Sequence, residues 1–91
     1  MQRIIDAAAS PGWSVGLGRS GQIMATLDTG VVGMPLVVLA ERSGRGMKVS
    51  RYQPGDDIEV EGDVIGELVG NPREMGRQLR AMLEENDRPS T

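Results

Sequence analysis

Met34-Pro35-Leu36-Val37-Val38-Leu39-Ala40 is the densest apolar run in the chain, and its reading decides the fold. Leu36 to Leu39 leave no polar side chain to face water, so a strand here must be covered on both sides. Periodicity alone does not separate so short a run from a buried helical turn. Pro35 at its start and the turn-like Arg42-Ser43-Gly44 after it favour a strand. Each large side chain buried there is worth about 1.5–3 kcal/mol. The run is therefore read as a central strand around which the other elements pack.

Ninety-one residues suit one domain with one modest core. Residues 1–86 are read as that domain and 87–91 as a flexible tail. Trp13 and Tyr52 are the only aromatics, so aliphatic side chains and six methionines must fill the interior. Methionine fills irregular gaps but supplies few rigid anchors, and association between copies, as a homodimer, is the expectation. The absence of cysteine excludes disulfides and thiol chemistry. No stretch approaches the length of a transmembrane helix. The opening Met1–Ser10 has one basic residue and a short apolar stretch broken by Asp6, which makes a poor signal peptide, so a cytoplasmic location is expected.

Working outward from the central run, Gln2–Ala9 reads as a short helix stopped by Ser10-Pro11-Gly12. Trp13–Leu17 and Gln22–Asp28 read as two strands of a hairpin. In the second, Ile23, Ala25 and Leu27 alternate with Met24, Thr26 and Asp28, the period of a strand with one buried face. On the other side of the run, Met47 and Val49 alternate with Lys48 and Ser50 across Gly46–Tyr52. Gln53-Pro54-Gly55-Asp56 has the composition of a type II turn. A strand at Asp57–Glu61 would follow, with Ile58 and Val60 inward, Val49 facing Val60 and Lys48 facing Glu61. A longer loop would shift that register, because two-residue hairpins prefer primed turns. Gly62-Asp63 marks a bend or bulge before Val64–Val69, a further short strand.

The last element is a helix. Asn71 is a good N-cap, Pro72 suits the first helical position, and Glu74 is placed for a capping box. Met75, Leu79, Met82 and Leu83 form one apolar stripe, with Arg73, Arg77 and Arg80 on the remaining surface. The fold class is accordingly α+β: an antiparallel β-meander of about five strands, with a short N-terminal helix and a C-terminal helix packed on one face. Trp13 reads as a core plug beneath that helix, with an interface anchor as the alternative.

Charge divides unevenly along the chain. Residues 1–55 carry six basic and three acidic side chains, whereas residues 56–91 carry four basic and ten acidic ones. Arg42, Arg45, Lys48 and Arg51 form a basic cluster. Clustered cations can neutralise phosphates, but a solvated loop with cross-strand pairing is the commoner reading. In a strand, Lys48 and Arg51 would point to opposite faces. Asp57, Glu59 and Glu61, with Asp56, Asp63 and Glu67 nearby, form an acidic counterpart. They lack the spacing of a calcium loop, and a charged edge strand that discourages aggregation is the plain reading.

Gly16-Leu17-Gly18-Arg19-Ser20-Gly21 matches the dinucleotide-binding fingerprint letter for letter. That motif works where a strand delivers the glycines to a helix start. Here strand alternation follows, so an ordinary glycine-rich hairpin is expected and no cofactor is implied. Val15–Gly21 and Val38–Gly44 share a valine and Arg-Ser-Gly, which two hairpins with similar turns explain. Histidine is also absent, so the commonest general base and the usual zinc sites vanish, and no catalytic constellation or metal site is expected.

The composition points to a small, non-enzymatic protein–protein interaction module, homodimeric, serving as a regulator, inhibitor or assembly accessory. Its partner-binding candidates are Arg42, Arg45, Lys48, Arg51, Asp57, Glu59 and Glu61. A nucleic-acid-binding protein using segment 42–51 is the alternative, and a small-ligand pocket between sheet and helix is a third reading.

Overall fold

The apolar run becomes the middle strand of five. A computed structural model describes residues 2–18, 21–30, 34–53, 57 and 62–87. The elements run α1 (Gln2–Ala7), β1 (Trp13–Leu17), β2 (Ile23–Leu27), β3 (Leu36–Ser43), β4 (Gly46–Tyr52), β5 (Asp63–Leu68) and α2 (Pro72–Glu85). The strands pair in chain order, each antiparallel to the next, and make one meander. Both helices lie on one face, so the architecture is the α+β arrangement that the sequence implies.

Leu36 through Ala40 are all buried, and they serve two clusters. Leu36, Val38 and Ala40 join the main core with Trp13, Ile23, Ala25, Met47, Val49 and Leu68 from the sheet. Ile4, Ile5, Ala8, Met75, Leu79 and Leu83 close it from the helix side. Val37 and Leu39 point the other way and form a smaller cluster with Tyr52 and half-buried Met24. The strand starts after Pro35 and runs three residues past Ala40, because only Gly44 and Arg45 form the turn. Gly44, at φ 61°, occupies the first central position with positive φ, as a type II′ hairpin turn requires.

Trp13 ties sheet to helix. It is 8% exposed, and its indole Nε1 donates to the Leu83 carbonyl at 3.1 Å. That carbonyl lies in the last turn of α2, where the helical ladder runs out, and it also accepts from the Asn86 backbone N–H at 3.2 Å. Asn86 satisfies the neighbouring carbonyl of Met82, its side chain donating at 2.7 Å. At the other end, Asn71 Oδ1 accepts from the Glu74 backbone N–H at 2.9 Å, with Pro72 in the first turn. Gly76 lets α1 approach α2, since a Cβ there would strike Ala7 and come within 2.7 Å of the Ile4 carbonyl oxygen. Gly66 does the same for Met82, whose Cε would lie 2.7 Å from an added Cβ.

Three expectations change in detail. Helix α1 ends at Ala7 rather than Ala9, two residues further from Pro11. The β4–β5 register is shifted: Lys48 stands opposite Glu67 and Val49 opposite Gly66, not Glu61 and Val60. The bulge falls at Ile65, between the Val49–Gly66 and Ser50–Val64 pairs, rather than at Gly62-Asp63. The expected turn at Pro54-Gly55-Asp56 and the strand residues Ile58, Glu59, Val60 and Glu61 lie outside the described residues.

Val38 is 1% exposed in the main core. Val38→Asp, which buries a carboxylate there, is expected to abolish the cooperative thermal transition, because that cost rivals the whole stability of a small domain, about 5–15 kcal/mol. Gly76→Ala should lower the melting temperature even though alanine is the better helix former, because overpacking of about 1–3 kcal/mol exceeds the propensity gain. Thermal melts followed by circular dichroism check both.

Candidate functional site: two arginine surfaces on an acidic chain

Strand pairing disperses the basic cluster of segment 42–51. Arg42 and Arg45 are exposed at the tip of the β3–β4 hairpin, where a two-residue turn holds them close in sequence and away from the core. Lys48 lies on the sheet face away from the helices, in a row with Glu41 on β3 and Glu67 on β5. A cation between two carboxylates on neighbouring strands is a favourable cross-strand arrangement. Arg51 falls on the opposite face, in register with Val38 and Asp63, and is half-buried. The candidates thus divide into an exposed pair, a ladder residue and a half-buried residue on the helix side. Asp57 is exposed. Glu59 and Glu61 lie outside the described residues.

A second basic surface forms on the helix layer. Arg73, Arg77 and Arg80 are exposed at spacings of four and three, which places them along one stripe of α2. The stripe extends about 10 Å along the helix axis. It borders the side on which Gly76 meets α1. Arg3 of α1 joins Arg73 around an open depression of ≈ 740 Å³, also lined by Asp6, Ala7, Asn71 and Pro72. Arg80 Nε pairs with Glu84 at 3.1 Å, both side chains about half exposed, a contact worth little in water. Asp6 accepts from the Gln2 amide at 2.9 Å. The residues that meet here come from opposite ends of the chain. The spacing of Arg73, Arg77 and Arg80 was readable in the sequence, but nothing in it brought Arg3 alongside.

Gly16–Gly21 belongs to the β1–β2 hairpin. Gly18 N–H donates to the Gln22 carbonyl at 2.6 Å, and a strand, not a helix, follows. The dinucleotide-binding motif requires a helix start at that place. Among the described residues, no group of three or more carboxylates is placed to hold a metal ion. No helix among them is long and apolar enough to cross a membrane. Comparison with protein-family models, with curated proteins and with solved structures finds no match to this chain.

The difference between hairpin tip and ladder is measurable. Lys48→Glu sets three carboxylates in one cross-strand row and should cost about 1 kcal/mol at low salt, less at high salt. Arg45→Glu at the exposed tip should stay within about 0.5 kcal/mol of the parent protein. Urea unfolding at two ionic strengths checks the pair.

Proposed function

We propose that this protein is a small, cytoplasmic, non-enzymatic interaction module. It associates as a dimer and offers its arginine surfaces to an acidic protein partner, as a regulator, inhibitor or assembly accessory. The observation that supports this reading is the stripe of Arg73, Arg77 and Arg80, joined by Arg3 at the start of α2. Arginine presents a planar fork of donors that matches carboxylates two bonds at a time. A rigid helix holds that fork in a fixed row, which favours a partner with its own ordered carboxylates.

The whole-chain charge weighs against a nucleic acid as the main partner. Phosphate backbones are bound through a broad positive field, whereas this chain carries net −3. Arg3 and Arg73 share their depression with Asp6, and Arg80 pairs with Glu84, so the arginines do not make an all-basic face. Carboxylate recognition works at contact distance and tolerates such neighbours, because exposed charges are screened beyond about 8–10 Å. The tip residues Arg42 and Arg45 are a second place for the same chemistry.

Tagged protein captured from its native lysate, with and without nuclease, tests the reading. The expected result is a nuclease-resistant protein partner retained by the parent and lost from an Arg77→Glu, Arg80→Glu variant that melts normally. Recovery that depends on intact nucleic acid would replace this reading with nucleic-acid binding.

A further inference from the structure

The two edges of the sheet are built differently. Strand β5 carries Asp63 and Glu67 and is bent by the bulge at Ile65. The chain just beyond it is clamped by Gln78 of α2, whose amide accepts from Val69 N–H at 2.9 Å and donates to Val69 O at 2.8 Å. Charge, a bulge and a covering side chain are the devices that keep an edge from pairing with another strand. Strand β1, Trp-Ser-Val-Gly-Leu, carries no charge and no proline and keeps a regular register along its whole length.

The hydrogen-bond pattern shows which groups this edge presents. The Gly18–Gln22 bond fixes the alternation of the β1–β2 ladder, so Ser14 and Gly16 bond inward to β2. The peptide groups of Trp13, Val15 and Leu17 then point outward. Trp13 N–H is taken by the Ser10 carbonyl at 3.2 Å. Among the described residues, no strand lies beyond β1. Leu17, at the end of this edge, is 59% exposed, the most open large apolar side chain among the described residues.

We infer that β1 is the dimer seam, and that a second copy of this chain adds its own β1 antiparallel across a two-fold axis at Val15. The inference rests on the self-association proposed above and names the surface that achieves it. The strand is complementary to itself in that arrangement. The two Val15 residues exchange backbone hydrogen bonds, and Leu17 N–H donates to the carbonyl of Trp13 of the partner subunit. On the helix side, exposed Leu17 lies beside Trp13 of the partner subunit, an apolar–aromatic cross-strand pair. On the other face, Ser14 lies beside Gly16 of the partner subunit. An identical strand brings no like charge against itself, because β1 carries no charge. The same pairing at β5 would set Asp63 and Glu67 against their own copies. Two sheets of five strands thereby become one continuous sheet with its exposed ends protected by β5.

A seam of this length buries less than the roughly 800 Å² per partner of a standard interface, so the dimer should dissociate on dilution through the micromolar range. Sedimentation equilibrium of the full chain, with Leu17→Lys and Gly16→Lys variants, tests it. Leu17 is exposed, and an added Cβ at Gly16 meets nothing within 4 Å, so both variants should melt like the parent. The expected result is a dimer for the parent and a halved mass for each variant. A parent that stays monomeric at high micromolar concentration overturns both the self-association and its seam. Variants that stay fully dimeric overturn the seam alone. Amide exchange of the parent is an independent measure that needs no substitution. Val15 and Leu17 amides should be protected when concentrated and exchange fast when dilute, and free exchange at high concentration overturns the proposal.

Discussion

Leu36–Ala40 must be dry on both faces, and the rest of the molecule depends on meeting that demand. On one face Val38 and its neighbours are covered by two helices. On the other, Val37 and Leu39 sit with Tyr52 and Met24. A chain with one tryptophan and one tyrosine has few large side chains to spend on this task. Both aromatics therefore stand at junctions: Trp13 reaches from the first strand to the last turn of α2, and Tyr52 supports the second face of the central strand. Burial of such a strand is the dominant favourable term, and the polar contacts at the helix ends keep it from being offset by orphaned backbone groups.

Helix α2 links core, edge and surface. Its apolar stripe of Met75, Leu79 and Leu83 closes the core. Gln78, on the flank of that stripe, meets both backbone groups of Val69 and so finishes the β5 edge. Arg73, Arg77 and Arg80 occupy the exposed side. These roles follow from one period: side chains three and four residues apart share a face, and the three faces meet three different neighbours. Gly76 then sets how closely α1, and with it Arg3, can approach.

The charge pattern gains meaning from this arrangement. Along the chain it divides into a basic first part and an acidic second part, but in space the signs interleave. Lys48 stands between Glu41 and Glu67, and Arg51 is in register with Asp63. Among the described residues, the exposed basic side chains are a pair of arginines at a hairpin tip and the arginines on the two helices.

The strand and helix sequence was legible from local signals: alternation in Ile23–Leu27, the capped and striped helix from Pro72, the unbroken apolar run at β3. The hairpin reading of Gly16–Gly21 followed from the same alternation. Local signals did not set the β4–β5 register, because strand pairing depends on tertiary contacts, and the match of Lys48 to Glu67 rather than Glu61 is such a contact. Nor did they place Arg3 and Arg73 on one depression, or give the contrast between a charged, bulged sheet edge and an uncharged, regular one. The sequence by itself determined which residues must be buried and with what period, since those follow from each side chain and its near neighbours. Only the tertiary structure decided which charges meet and which edge stays open, because both depend on residues far apart in the chain being packed side by side.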